Sequence, residues 1–292
     1  MTLFRSWLFV PGNIERRMNK MKQLHADVIV MDLEDSVPIA EKGNARQAAS
    51  RALMEPGSRT LYVRVNDAAS GWLADDLFAI VQPQLKGIML PKVSRSIEII
   101  QADQMLTQLE QNHGIAVGSI DVVPLIETAE GVYRAFELAS CCSRVRRLAF
   151  GSVDYTLDLN VELSDEGLEL LYPRSQLVVH SRAAGIEAPI DAAYMHIKDE
   201  SGLRRDTRLA KQLGFQGKLI IHPDQIHAVN DVFTPSLKEI EVAQEVIAAY
   251  RLSESEGRAA IQVNGKMVDL PVVQRYVKLL KAASELGLIQ EA

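Results

Sequence analysis

Short apolar runs alternate with longer amphipathic stretches along most of the chain. The runs read SWLFVPG (6–12), ADVIVMDLED (26–35), TLYVRVND (60–67), GIMLPKV (87–93), DVVPLIETAEG (121–131), RRLAFGSVD (146–154), IEAPIDAAY (186–194) and KLIIHP (218–223), eight in all. Between them, apolar residues recur at three- and four-residue spacing, as in NIERRMNKMKQLH, ARQAASRALM, IEIIQADQMLTQLEQ and LRRDTRLAKQLG, and predict amphipathic helices. Runs that are apolar throughout, rather than at alternate positions, predict strands covered on both faces. That means a parallel sheet with helical crossovers. Eight such units predict a (β/α)8 TIM barrel over residues 1–232. An open nucleotide-binding sheet is disfavoured, because no Gly-x-Gly-x-x-Gly or Walker motif follows the first run.

The remaining 233–292 exceed what a barrel needs. PSLKEIEVAQEVIAAYRLSE (235–254) predicts a long helix, and GRAAIQVNGKMVDLP (257–271) a short hairpin turning on Asn264-Gly265. VVQRYVKLLKAASELGL predicts a closing helix. This helix–hairpin–helix arm is expected to act as a lid or a subunit contact.

Composition narrows the class. At 292 residues and 47% hydrophobic the chain can bury a large core, and its net charge of −6 gives no reason to expect nucleic acid or an anionic membrane as partner. The two cysteines, Cys141 and Cys142, are adjacent and predict reduced packing residues. The first apolar run is too short for a signal peptide or a spanning helix, and a cytoplasmic location is expected.

Candidate chemistry follows from the barrel. Active sites of such barrels lie at the C-terminal ends of the strands. Here those ends carry Asp32, Glu34 and Asp35; Arg64 and Asn66; Lys92; Glu127; Asp154; and His222. Glu127 and Asp154 are one βα unit apart and predict neighbouring carboxylates, which repel unless a cation lies between them. Oxygen-only ligation suits Mg2+, with Mn2+ as a substitute, and no His or Cys cluster has zinc-ligand spacing. A glycosidase-type acid/base pair would use the same residue types, but Trp7 and Trp72 are the only tryptophans to serve as sugar platforms. Arg64 is a planar cation fit for a carboxylate or an oxyanion, with Glu34 or Asp35 to orient it. The backbone N–H groups of Gly151, Ser152 and Val153 can form an anion nest for a keto acid's carboxylate. Together these point to a 2-keto acid and an enolate, hence aldol- or Claisen-type carbon–carbon chemistry. Asp269, before Leu270-Pro271, predicts a helix N-cap, and His222 a packing residue.

Taken together, RSWLFVPGN, ADVIVMDLEDSV, VRVN, GIMLPKV, PLIETAEG, LAFGSVDYTLDL, GFQGKLIIHPDQI and GKMVDLP resemble the citrate lyase β-subunit/malyl-CoA lyase family in order along the whole chain. The resemblance implies a TIM barrel with a C-terminal arm, a homotrimer or hexamer, and cleavage or formation of citryl, malyl or citramalyl thioesters. It implies Glu127 and Asp154 as Mg2+ ligands, Arg64 on the keto oxygen and Asp35 as an acid beside it. It also implies Asp269 as an acid/base reaching a neighbouring subunit's site. Arg5, Arg17, Lys20 and Lys22, near the first strand, are expected to contact the anionic end of coenzyme A. Citramalyl-CoA is the favoured substrate. A citrate lyase β-subunit acting on a carrier-protein thioester, a keto acid aldolase without CoA, and an inactive barrel serving as sensor or scaffold stay open.

Overall fold

In a computed structural model, which describes residues 3–290 except Pro56 and Ser58 and leaves out the Lys22 side chain, all eight runs become strands. They are β1 (Ser6–Pro11), β2 (Val28–Asp32), β3 (Thr60–Arg64), β4 (Leu85–Leu90), β5 (Asp121–Ile126), β6 (Ala149–Phe150), β7 (Ile190–Asp191) and β8 (Gly217–Ile220). Each pairs in parallel with its sequence neighbour, and β8 closes on β1 with Trp7 opposite Leu219. The TIM barrel read from the apolar runs is therefore the fold.

Trp7, Tyr62, Met89, Val123, Leu125, Ile190 and Leu219 share the barrel's core. Burying such side chains contributes roughly 1.5–3 kcal/mol each before entropy is subtracted. Gly87 makes room: a Cβ there would overlap the Tyr62 ring. The predicted helices appear as Lys42–Met54, Ser96–Asn112 and Glu200–Leu213, and Asp199 caps the last by accepting from Gly202 N–H at 2.9 Å. β6 and β7 are shorter than their apolar runs because Gly151 ends the first and Pro189 precedes the second. Asp154 consequently lies on the first turn of helix Ser152–Asp158, not on a strand.

By packing, the chain divides into two units: Phe4–Asn230, which holds the barrel, and the chain from Asp231 onward. In the second, helix Leu237–Ser255 opens with a capping box, Ser236 with Glu239. A two-stranded hairpin, β9 (Ile261–Val263) and β10 (Lys266–Val268), turns on Asn264 and Gly265 at φ 51° and 76°. Helix Leu270–Glu285 follows, and the three elements share an apolar cluster of Val246, Ile247, Tyr250, Val268 and Val273. Among the described residues, no helix is long and apolar enough to cross a membrane.

Candidate active site

Of the strand-end acids and bases, Asp32, Arg64, Glu127 and Asp154 line one cavity of about 310 Å³ at the C-terminal mouth of the barrel, whereas Glu34, Asp35, Asn66, Lys92 and His222 are not in its wall. Its wall includes Arg17, Asp32, Arg64, Glu127 and Asp154, with Gly151, Ser152 and Val153 at the edge.

Glu127 follows directly on β5 and is 2% exposed. Its Oε1 accepts from the Lys92 backbone N–H at 2.9 Å. The turn after it is pinned on both sides. Thr128 caps the next helix by accepting from Gly131 N–H at 3.0 Å and pairs with the Ser94 hydroxyl at 2.8 Å, while Asp158 accepts from Ala129 N–H at 2.7 Å. Gly151 lets helix Ser152–Asp158 come close, since a Cβ there would stand 2.7 Å from Glu127 Oε2. That approach brings the half-buried Asp154 into hydrogen-bond contact with Glu127.

Burial first, then the charge of Asp154 and the hydrogen bond with it, push the Glu127 carboxyl well above the usual range, against the Lys92 N–H and the Arg64 charge. A cation between the two carboxylates would reverse that state. A donor set of two carboxylates with room for substrate oxygens fits Mg2+ or Mn2+. Among the described residues, no group of three or more His, Cys, Asp or Glu gathers as a zinc site would.

Arg64 ends β3 in register with Asp32 at the end of β2. That register explains a bidentate pair the sequence reading did not name: Nε to Oδ1 at 2.7 Å and Nη2 to Oδ2 at 2.6 Å. Glu34 stands at 3.1 Å and Asp35 at 3.9 Å from Nη1, so the main orienting acid is Asp32 rather than Glu34 or Asp35. The Phe9 ring packs under the guanidinium at 4.8 Å. Burial raises the Asp32 carboxyl, but the Arg64 charge and hydrogen bonds from Arg64, Ser36 and the Glu34 N–H win and hold it below the ordinary value. Glu34 and Asp35 lie against each other: burial and Asp35 push Glu34 up, while hydrogen bonds from Glu34 and Lys92 and the Arg64 charge overcome burial and hold Asp35 down.

Lys92, just beyond β4, joins this group. Its backbone is left-handed at φ 55°, and the two other such non-glycine residues described, Asn160 and Asn264, are the type that tolerates it. Its Nζ lies 2.5 Å from Glu34 and 3.2 Å from Asp35.

The coenzyme A expectations divide. Arg17 lines the cavity, and Lys20 is exposed at the end of helix Glu15–Lys20, outside the cavity wall. The Lys22 side chain lies outside the described residues. Arg5 is not at the mouth: it precedes β1 at the opposite end of the barrel, paired with Asp27 at 2.7 Å. Closeness to the first strand in sequence did not distinguish the strand's two ends. Asp269 caps helix Leu270–Glu285, its Oδ1 accepting from Val272 N–H at 3.2 Å. His222 is partly exposed with Nδ1 3.4 Å from Asp224. Trp7 lies in the barrel core and Trp72 packs under Arg46, so neither offers a sugar platform in the cavity. Cys141 and Cys142 are free, and burial pushes both thiols up, Cys141 to about 11. An adjoining cavity of about 470 Å³ shares Ser152, Ala193 and Met195 with the first but includes neither Glu127 nor Arg64.

Comparison with known proteins finds relatives along nearly the whole chain. The family model described as HpcH/HpaI aldolase/citrate lyase matches residues 5–223, and one described as a C-C bond lyase of the TIM-barrel fold matches 175–282. The citrate lyase subunit beta of Leuconostoc mesenteroides subsp. cremoris is 39% identical over 284 residues, covering 97% of this chain and 94% of that one. The mitochondrial citramalyl-CoA lyase of Homo sapiens is 31% identical over 298 residues, covering 97% and 86%. The crystal structure of protein CitE from Mycobacterium tuberculosis, in complex with magnesium, acetoacetate and coenzyme A, matches with a TM-score of 0.79 at 29% identity, covering 96% and 98%.

Proposed function

The chain belongs to the HpcH/HpaI aldolase/citrate lyase family, and from that premise we propose that it is a Mg2+-dependent carbon–carbon lyase splitting a 3-hydroxyacyl-CoA into an acetyl thioester and a 2-keto acid. The observation that carries this reading is the Glu127–Asp154 pair facing Arg64 in one cavity. The relatives named citrate lyase subunit beta and citramalyl-CoA lyase, and the CitE complex with magnesium and coenzyme A, support the thioester class.

Glu127 and Asp154 would hold the metal, which when bound supplies Lewis acidity to the substrate's 3-oxygen. Asp35, half exposed and held ionised, is available to take the 3-hydroxyl proton. As that O–H pair becomes a carbonyl, the C2–C3 bond breaks and its electrons pass to the thioester as an enolate. Arg64, fixed on Asp32, stabilises charge on the 3-oxygen. The N–H groups of Ser152 and Val153, in the first turn of helix Ser152–Asp158, hold the adjacent carboxylate; that of Gly151, expected to join them, is instead donated to the Ile126 carbonyl oxygen at 2.9 Å. Arg17 meets the anionic end of coenzyme A, with Lys20 nearby on the same helix. Protonation of the enolate carbon completes the turnover, and Asp269 from the arm of a neighbouring subunit is the acid we assign, in a homotrimer or hexamer.

The cavity wall contributed by Leu125, Phe150, Ala193 and Met195 is apolar, which suits a methyl group better than a second carboxylate. We therefore assign (S)-citramalyl-CoA as substrate and pyruvate as the keto acid. The 39% identity to a citrate lyase subunit favours a second reading, a carrier-protein citryl thioester. Incubation with Mg2+ and malyl-CoA, (S)-citramalyl-CoA, citryl-CoA or a citryl carrier-protein thioester, with identification of the keto acid formed, tests both. Pyruvate from citramalyl-CoA is expected. Turnover of a citryl carrier alone would establish the second reading, and no turnover of any thioester would sink the lyase.

A further inference from the structure

Lys92 touches both halves of the site, yet the mechanism above gives it no role. It stands between them on the strand order: Glu127 follows β5, Lys92 follows β4, Arg64 ends β3, and Glu34 and Asp35 follow β2. Its backbone N–H reaches Glu127 Oε1 at 2.9 Å, which a left-handed residue directly before Val93 makes possible. Its ammonium crosses above β3 to the two acids. There the oxygens are divided between two cations. Lys92 Nζ takes Glu34 Oε1 at 2.5 Å and Asp35 Oδ1 at 3.2 Å. Arg64 Nη1 faces the other oxygen of each, Glu34 Oε2 at 3.1 Å and Asp35 Oδ2 at 3.9 Å.

We propose that Lys92 is a positioning residue with two separable parts: a main-chain N–H that orients Glu127, and an ammonium that keeps Glu34 and Asp35 from drawing Arg64 away from the substrate oxygen. The proposal rests on the lyase reading. Without the ammonium, Arg64, already paired with Asp32 through Nε and Nη2, is left to answer Glu34 and Asp35 as well, and its Nη1 is drawn from the cavity toward those two carboxylates. Lys42 cannot substitute, since its Nζ is spent on the Leu33 and Glu34 carbonyl oxygens at 2.7 and 2.8 Å.

The two parts predict different outcomes for different replacements. Lys92→Met removes the ammonium, leaves the N–H, and should lower kcat on the order of 10- to 100-fold with KM within about threefold, as expected for a contact felt mainly in the transition state. It should also weaken pyruvate binding measured by calorimetry. Lys92→Gly keeps the N–H and suits the left-handed backbone, so its kcat should match Lys92→Met, while its Tm should exceed that of Lys92→Ala. Adding Glu34→Gln to Lys92→Met removes one of the acids competing for Arg64 and should restore kcat by about tenfold relative to Lys92→Met, a rescue that a packing role would not give. A Lys92→Met enzyme with wild-type kcat, or a double variant no better than the single one, would overturn the assignment. Both outcomes are read only if the wild-type protein turns over a thioester; if it does not, the lyase reading falls instead.

Discussion

The two ends of the barrel use charge in opposite ways. At the N-terminal floor, every acid named here is met by its own cation or hydroxyl. Tyr62 donates to Asp121 at 2.7 Å, Arg146 to the other Asp121 oxygen at 3.0 Å, Arg147 to Glu187 at 2.8 Å, and Arg5 pairs with Asp27. Arg147 also covers the Phe4 and Trp7 rings at 5.3 and 5.5 Å, sealing the core. At the C-terminal mouth, acids outnumber cations. Glu127 has a backbone N–H and a second carboxyl for partners, and Arg64 and Lys92 are divided among Asp32, Glu34 and Asp35. The floor is arranged for stability. The mouth keeps a carboxylate pair whose like charges are relieved only when something positive joins it.

The largest effect that could break this contrast is at Glu127. Glu127→Gln keeps the shape and the acceptor for Lys92 N–H but removes one carboxylate of the pair. Activity with Mg2+ should fall by at least about 10³-fold, because both the metal and the oxygen it polarises lose their anchor. The Tm without metal should not fall, since a strained acid has been replaced by a neutral amide. A variant that keeps full activity after EDTA treatment and Mg2+ readdition would falsify the metal assignment.

The contrast also explains what the sequence made legible. Continuous apolar runs marked all eight strands, and an acid or base at the ends of six of them marked Glu127, Arg64 and Lys92 as mouth residues. Asp32 was visible as a strand-end acid, but its bond to Arg64 depends on the β2–β3 register, which no local pattern encodes. Asp154 looked like a strand end because Gly151 shortens β6, so its first-turn helical position emerged only with the fold. Arg5 and Arg17 both looked like basic residues near the first run, yet they lie at opposite ends of it. The left-handed backbone of Lys92 had no sequence signal at all, because Pro91-Lys92 carries neither Gly nor Asn.

A floor substitution sharpens the comparison from the other side, with a smaller expected effect. Tyr62→Phe removes a buried hydroxyl that bonds Asp121 and accepts from Arg147 at 3.3 Å. Stability should drop by about 1–2 kcal/mol, measured by denaturant unfolding, while kcat stays within about twofold of wild type. Loss of activity in proportion to loss at Glu127 would mean that the two ends are not independent.

The smallest effect is a pH slope, and it isolates the mouth from every other carboxylate. Burial and Asp154 raise the folded-state pKa of Glu127 above its unfolded value of about 4.3. Folding therefore favours the protonated form. The stability this group contributes is fully present below about pH 4.3 and is lost as pH rises through the raised folded-state value. Asp32 runs the other way: its lowered pKa gives stability above the unfolded value that is lost as pH falls. Wild type and Glu127→Gln share the Asp32 contribution, so it cancels in their difference. Without metal, the Tm of wild type minus that of Glu127→Gln should decline by a few degrees as pH is raised from about 4.3 toward neutrality. Saturating Mg2+ should flatten the decline, because a cation binds the ionised pair and takes over from the proton. A difference that is level in pH would mean that Glu127 is already ionised beside Asp154, and the mouth would then be charge-matched in the same way as the floor, whereas a decline as steep with Mg2+ as without it would mean that no cation joins the pair.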